Sequence, residues 1–263
     1  MASRDSALAP YSPNSLPVNP PPCSIVHIDE TLVVLNKPAG LSLATPASEP
    51  RAAVRRLLDS LPGHLREEHA LSDHRLWLVH RLDVGTSGLV LLARTREAHS
   101  ALSGALSERK LGKVYLALVW GHPRPREGCL DWPIGPDRRD RRRMKVDPEG
   151  RPARSRYRTL AEPPHVSLME LRPETGRTHQ LRVHLAHAGH WIVGDDLYGG
   201  PRHRGVRNPR MRELLAPAHP MLHAWRLSLP QLPHGCAVEF EAPLPEDFKH
   251  IIRELGIAEG ILP

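Results

Sequence analysis

The hydrophobic residues of this chain fall into short runs separated by polar turns, and these runs begin after a proline-rich segment. Residues 1–22 contain six prolines and little to bury, a composition that predicts a disordered tail. The β-rich runs 25–28 and 31–35, separated by two acidic residues, predict a hairpin. Residues 51–60 have helical spacing, and the polar stretch 62–75 predicts an irregular surface loop.

Residues 76–95 contain an apolar run, a polar turn and a second apolar run, which together predict two buried strands joined by a loop. The only carboxylate of this segment, Asp83, lies in the loop. An acid held between two core strands is a candidate site residue. Alternatively, Asp83 caps its own turn by bonding to Thr86 or Ser87.

The rest of the pattern predicts more strands than helices. A helix begins after Thr95, a plausible N-cap, and runs to about Arg109. Strands are predicted at 113–120, 154–160, 166–171, 222–229 and 237–240, and further helices at 178–188 and 245–255. Because strands and helices do not alternate regularly, the pattern predicts one α+β domain over residues 23–260. Its central sheet is expected to be mixed but mostly antiparallel, with helices and loops flanking it.

The charge balance indicates a polyanionic partner or a merely solvated basic surface. The chain has 36 Lys and Arg against 29 Asp and Glu, with a sequence pI near 9.8. Two segments concentrate the cations, residues 138–145 and 202–212, and each is either a solvated loop or a phosphate contact. Aromatic residues make up only 4% of the chain, which argues against a base-stacking platform.

Several functional classes are disfavoured by missing motifs. The three cysteines form no CxxC pair, and the chain shows neither an apolar run of membrane-spanning length nor a signal peptide, so we expect a cytoplasmic protein. Phosphate-loop, dinucleotide-binding and GxSxG motifs are absent. The pair Asp195-Asp196 is interpreted as a turn. A histidine cluster lacks the HExxH arrangement, so no metal and no cofactor are expected; its members are His179, His184, His187 and His190.

Three separated motifs carry a family resemblance. Residues 80–88 read HRLDVGTSG, Lys113 and Tyr115 form a KxY pair, and residues 176–182 read GRTHQLR. Together they resemble the signature segments of RluA-type RNA pseudouridine synthases. Two further elements, KPAG at 37–40 and GDDLYG at 194–199, are also similar to that family. The resemblance extends from about residue 25 to residue 240, and it implies a pseudouridine synthase-like catalytic domain.

The resemblance also implies a reaction that needs no cofactor. The N1–C1′ bond of a uridine in RNA is cleaved, the uracil turns, and C5 is joined to C1′. Asp83 matches the family's aspartate and is expected to act as nucleophile or as base. Arg177 is expected to form its ion pair, and Tyr115 to lie against the uracil. The expected substrate-binding residues are Arg81, which fills the stack that the base vacates, Leu181 as an apolar wall, His80 and Thr86.

The tail is too short to form the S4 RNA-binding module found in many relatives. We therefore expect RNA affinity to come from the catalytic domain, which is expected to act as a monomer on ribosomal or transfer RNA. The candidate backbone contacts are Arg141, Arg142, Arg143, Lys145, Arg204 and Arg207. Trp191 stands where relatives commonly have proline, a change expected to affect only a loop. The alternative function is a non-catalytic RNA-folding factor.

Overall fold

The computed structural model describes residues 21–230 and 237–261, so most of the tail predicted to be disordered lies outside the described residues. The strands are β1 (Ser24–Ile28), β2 (Leu32–Lys37), β3 (Trp77–Leu78), β4 (Ser87–Ala93), β5 (Gly112–Trp120), β6 (Glu127–Asp131), β7 (Ile134–Pro136), β8 (Met144–Val146), β9 (Arg154–Ala161), β10 (Val166–Pro173), β11 (Leu222–Leu229) and β12 (Val238–Glu241). The helices are α1 (Ala52–Asp59), α2 (Gly63–Glu68), α3 (Arg96–Ser107), α4 (Gln180–His187), α5 (Pro209–Leu214) and α6 (Glu246–Glu254).

Ten of these strands form one mixed sheet in the described part of the chain. Its main path runs β1-β2-β4-β11-β5-β10-β9-β6, with β3 paired to β4 and β12 paired to β11. The β4–β11 pair is parallel, whereas the other strand pairs are antiparallel. Two antiparallel halves are therefore joined at the centre of the sheet by one parallel pair. The predicted α+β class and the mostly antiparallel sheet are confirmed.

One face of the sheet is covered by two separate helices. Helix α1 packs on β2 and β4 through Leu57 and Val90, and α4 packs near β5 and β10 through Leu185 and Met169. Tyr115 packs against both clusters. A gap therefore lies between the two helices on this face, above the centre of the sheet. Helices α3 and α6 cover the opposite face, where they pack on strand residues that alternate with the residues facing α1 and α4.

Glycine is required where the two central strands meet. Gly88 in β4 pairs with Ala224 in β11 and has a φ of +111°. A Cβ atom at this position would lie 2.2 Å from the carbonyl oxygen of Ala224. The close backbone approach allows only glycine, and it fixes the loop that immediately precedes β4.

Three local predictions are wrong. The stretch 62–75 contains α2 as well as a 3₁₀ turn, although both lie on the surface as predicted. The sequence predicts no strand between 121 and 153, yet this region contributes β6, β7 and β8, whose buried anchors, such as Ile134, are too sparse to form a sequence pattern. Helix α4 begins at Gln180, because His179 has a left-handed φ of 55° that interrupts helical geometry. No helix within the described residues is long and apolar enough to cross a membrane.

Candidate active site

The loop before β4 presents Asp83 at the gap between the two halves of the sheet. The N–H of Thr86 donates to the Asp83 carbonyl oxygen at 3.1 Å, which closes a tight turn. The side chains of this turn do not cap it as the alternative interpretation required. Thr86 is buried, and the hydroxyl of Ser87 bonds to Nδ1 of the buried His223 at 2.9 Å. The carboxylate of Asp83 is thus left to face the gap, 26% exposed.

Arg182 supplies the cation for this carboxylate. Its Nη1 lies 3.5 Å from Oδ2 of Asp83, while Nε and Nη2 donate to the two carboxylate oxygens of Asp195 at 2.7 Å each. Asp195 is 2% exposed and Arg182 is 8% exposed. A bidentate pair of this geometry holds the guanidinium plane rigidly. Arg182 therefore reaches Asp83 from a fixed position.

The prediction that Arg177 pairs with Asp83 is wrong. Arg177 precedes α4 in the loop, where its N–H donates to the side chain of Gln180 at 3.0 Å. Its Nε donates to the carbonyl oxygen of Pro152 at 3.0 Å, and the ion-pair partners of Asp83 among the described residues are Arg182 and His179. Both arginines belong to the GRTHQLR motif, and only the later one enters the buried network.

His179 and Tyr198 support the other side of Asp83. The Tyr198 hydroxyl accepts the N–H of Met144 at 2.8 Å and bonds to Nδ1 of His179 at 2.8 Å. Because the Tyr198 hydroxyl accepts from Met144, it donates its own proton to Nδ1 of His179. The neutral imidazole then carries its proton on Nε2. That Nε2 lies 3.9 Å from the Asp83 carboxylate. Burial lowers the pKa of His179, and Asp83 opposes this shift.

Lys37 anchors the Asp83 loop from below. This residue ends β2 and is 0% exposed. Its ammonium donates to the carbonyl oxygens of Pro38, Leu41 and Val84 at 2.9, 3.1 and 3.4 Å. Val84 directly follows Asp83, so the KPAG segment and the HRLD segment are joined by a buried charge. This contact gives the KPAG element a structural role.

We expect the stability of this protein to show the titration of Lys37. Burial lowers its pKa from 10.5 to about 8, so the unfolded chain binds more protons between these values and stability rises with pH across that window. A shift of this size corresponds to about 3 kcal/mol. Urea unfolding of Lys37→Met should lack the rise, whereas the exposed-lysine control Lys110→Met should retain it. Equal pH slopes in the wild type and Lys37→Met would contradict the assignment.

Apolar side chains form the wall opposite Asp83. Leu181 and Leu222 are buried in one cluster, and the ring of Tyr115 packs beside them. Burial raises the pKa of Tyr115, and the nearby negative charge of Asp83 acts in the same direction. The phenol therefore keeps its proton. His80 lies at the same gap, where its Nε2 accepts the N–H of Leu91 at 3.2 Å. Burial and the neighbouring positive charge of Lys113 lower the pKa of His80 to about 3, so it is neutral.

The gap is a cleft of about 900 Å³ that brings most of the predicted site residues together. Its lining includes Asp83, Tyr115, Arg177, Arg81, Leu181, His80 and Thr86. Arg81 is exposed at its mouth and also borders a neighbouring hollow of about 490 Å³. A cleft of this volume is large enough for a small organic ligand or a nucleotide.

The residues predicted to contact the RNA backbone do not line this cleft. In the first basic segment, Arg142 pairs with Asp140 at 2.7 Å, Lys145 lies 3.4 Å from Asp147, and Arg141 is exposed. Arg143 places its guanidinium 5.2 Å from the ring centre of Tyr198, and so borders the site from behind. Arg204 and Arg207 are exposed on the second basic segment.

The histidine cluster is dispersed by the fold. His184 bonds to the Trp132 carbonyl oxygen at 3.0 Å and His190 bonds to the Trp120 carbonyl oxygen at 3.1 Å, while His179 faces Tyr198. Across the described ranges, no group of three or more His, Cys, Asp or Glu side chains is arranged to hold a metal ion.

A comparison with protein families decides the family membership. The sequence profile described as "RNA pseudouridylate synthase" matches residues 31–187, which include Asp83, Tyr115, Arg177 and Arg182. The chain belongs to the RNA pseudouridylate synthase family. The predicted resemblance and the expected catalytic-domain fold are thereby confirmed.

Named relatives support the assignment of this chain to the pseudouridylate synthase family. It is 42% identical to an uncharacterized RNA pseudouridine synthase of Chloroflexus aurantiacus, over 84% of this chain and 65% of that protein. It is 37% identical to ribosomal large subunit pseudouridine synthase D of Neisseria meningitidis, over 90% of this chain and 62% of that protein. The chain thus spans less than two thirds of these two relatives.

Two further matches cover nearly the whole of the related protein. The dual-specificity RNA pseudouridine synthase RluA of Pasteurella multocida is 37% identical over 83% of this chain and 95% of its own length. The solved structure of human RNA pseudouridylate synthase domain containing 4 has a TM-score of 0.68 and 28% identity. That match covers 88% of this chain and 92% of the human one.

Three residues of this pseudouridylate synthase site are not predicted from the sequence. The resemblance indicates the first arginine of GRTHQLR and not Arg182, and the spacing around Asp195 predicts only a turn. Leu222 is predicted to lie in a strand, with no role in the site. The GDDLYG element was the available signal for Asp195, because a family motif that contains both an acid and Tyr198 indicates more than a turn.

Proposed function

We propose that this chain is an RNA pseudouridine synthase that isomerises uridine in ribosomal or transfer RNA. The observation that carries the proposal is the placement of Asp83, which faces an open basic cleft and lies 3.5 Å from a rigidly held Arg182. Opposite it stand a protonated tyrosine and two leucines. A carboxylate, a fixed cation and an apolar wall suit a reaction that acts on a sugar carbon while a flat base turns.

The reaction assigns a task to each group. A uridine leaves its stack and enters the cleft, and Arg81 at the mouth takes the vacated position. Asp83 attacks the ribose or removes one of its protons, and the N1–C1′ bond breaks. The freed uracil turns against Leu181, Leu222 and Tyr115 until C5 bonds to C1′, and in the same step either the bond from Asp83 to C1′ breaks or the proton that Asp83 removed returns to the ribose. C5 then loses its proton and N1 ends with one, so the product is an isomer of the substrate.

The wider assignments belong to the same proposal. We infer that residues 23–260 act as one catalytic domain, that the protein works as a monomer, and that it acts in the cytoplasm where RNA is available. The relatives' names mention ribosomal large subunit RNA and a dual-specificity enzyme. Ribosomal and transfer RNA are therefore the substrates to test first.

The decisive test follows the hydrogen at C5. The full chain is incubated with unmodified transcripts of ribosomal and transfer RNA that carry [5-³H]uridine, and released tritium is counted. We expect release to stop near one tritium per modified site, together with pseudouridine at the same positions by chemical mapping. If excess protein binds these RNAs but releases no tritium and forms no pseudouridine, the protein is an RNA-binding factor and the proposal is wrong.

A further inference from the structure

The cleft has a cluster of unpaired arginines on its rim that the isomerisation chemistry does not use. Arg109 lies between α3 and β5, Arg151 precedes β9, and Arg177 lies between β10 and α4. All three line the cleft that contains Asp83. None of the three forms an ion pair with another residue among those the structure describes. Three cations thus meet at one edge, and none of them has a carboxylate within ion-pair distance among the described residues.

Backbone contacts fix the positions of these arginines and leave their side-chain ends available. Arg151 exchanges two backbone hydrogen bonds of 2.9 Å with Ile134. Arg177 uses its backbone N–H and its Nε in bonds to Gln180 and Pro152, which leaves its two terminal amino groups available to a ligand in the cleft that it lines. The pKa of Arg177 is lowered by partial burial and then by the positive charges of Arg151 and Arg109. Their mutual repulsion indicates that they are close together.

The nearest acid is already occupied. Glu174 also lines the cleft, but its carboxylate pairs with Arg156 at 2.6 Å and with Arg154 at 3.5 Å. The hydrogen bond from Arg156 lowers the pKa of Glu174 most, Arg154 adds to this shift and Arg109 contributes least, so Glu174 neutralises the rim arginines only weakly. Lys113, which is less exposed than Arg109, adds a further cation at the same edge, where its ammonium would lie 3.8 Å from a Cβ atom placed on Gly176.

Arg109 carries an additional sign of a binding role. It occupies the position after helix α3 with a φ of 60°, in the left-handed conformation that favours glycine. Its N–H bonds to the Leu106 carbonyl oxygen, and the N–H of Lys110 bonds to that of Ala105, as in a helix end that normally contains glycine. An arginine at such a position is more strained than a glycine would be. Its presence there is explained if its charge binds a ligand in the cleft.

We propose that Arg109, Arg151 and Arg177 form a phosphate-binding site for the RNA backbone beside the uridine that enters the cleft. Three guanidinium groups that lack carboxylate partners suit the oxygens of a phosphodiester. The site orients the strand so that the extruded base reaches Asp83. The inference rests on the proposed function, and it assigns the backbone contact to the rim in place of the basic segments 138–145 and 202–212.

The test uses binding, so that it is independent of catalysis. The probe is a fluorescein-labelled nine-nucleotide RNA with one central uridine, titrated with the full chain over a series of salt concentrations. The variants are Arg109→Gln, Arg151→Gln, Arg177→Gln and their triple combination. Arg96→Gln is the matched control, because Arg96 is an exposed arginine at the opposite end of the same helix and does not line the cleft.

We expect the triple variant to bind about tenfold or more weakly, with the slope of log K against log salt reduced by about 0.7 for each lost phosphate contact. Arg96→Gln should match the wild type. In probes with one neutral methylphosphonate linkage, the wild type should lose affinity only at linkages next to the uridine, and the triple variant should be insensitive there. Unchanged affinity and slope in the triple variant would overturn the site.

Arg109→Gly separates binding from structure. Because glycine adopts the left-handed conformation without strain, this variant should melt at the same temperature or higher than the wild type, yet bind the probe more weakly. A variant that is stabilised and binds as well as wild type counts against the site. Tritium release with normal binding by the triple variant refutes this site and leaves the proposed function intact. If RNA binding depends on salt and requires the three rim arginines but no tritium is released, the proposed function is wrong and the phosphate site stands.

Discussion

Replacing Asp83 with asparagine is expected to reduce tritium release from [5-³H]uridine RNA by at least about 1,000-fold while RNA binding is retained. Asparagine has nearly the same shape, but its neutral amide neither attacks a ribose carbon nor accepts a proton. The fold should not change, because Asp83 is partly exposed and Arg182 keeps its two bonds to Asp195. Removing a negative charge from a basic cleft should leave RNA affinity equal or slightly higher.

Asp196→Asn is the matched control for this substitution. Asp196 is an exposed carboxylate on another loop and does not line the cleft, so its loss should leave release unchanged. Single-turnover assays with excess protein separate chemistry from binding. An Asp83→Asn protein that still isomerises uridine at a comparable rate would show that another group carries the chemistry.

Arg182→Met is expected to remove activity and to destabilise the protein by about 3–5 kcal/mol. Methionine fills much of the same volume, but it leaves Asp195 as a buried charge without a partner, at 2% exposure. The variant also removes the cation that lies 3.5 Å from Asp83. Urea unfolding and tritium release measure the two losses separately.

The double variant Arg182→Met/Asp195→Asn separates the two effects. Because no unpaired charge remains buried, most of the stability should return, whereas activity should stay low since Asp83 still lacks its cation. Recovery of activity together with stability would mean that Arg182 has only a structural role. Arg177→Met is the companion from the same motif. It should keep the fold and affect KM more than kcat, because Arg177 lies at the rim.

The sequence by itself determined the local elements and the identity of the principal acid. The hairpin of β1 and β2 and the long strands β5, β10 and β11 follow from apolar runs of suitable length, since burial of one face imposes that pattern. The residues of HRLDVGTSG placed Asp83 in a turn between strands. Motifs of this kind are short, so their local geometry depends little on the rest of the chain.

Only the tertiary structure decided the partners of that acid. GRTHQLR contains two arginines, and the choice between them depends on where α4 begins. Helix α4 begins only at Gln180, because His179 has a left-handed backbone and the Arg177 N–H bonds to the Gln180 side chain. With this start, Arg182 points inward to Asp195 and Asp83. The spacing of residues in the sequence does not show which of the two arginines points towards Asp83.

The cluster of rim arginines also could not be predicted from the sequence. Arg109, Arg151 and Arg177 come from three distant segments, and the sequence drew attention instead to basic runs whose charges are concentrated along the chain. Folding brings the three together because β5, β10 and β9 are antiparallel neighbours, so the start of β5, the end of β10 and the start of β9 lie at one edge of the cleft. Charge density along a sequence is visible without a structure, whereas charge density at a surface depends on which strands are neighbours.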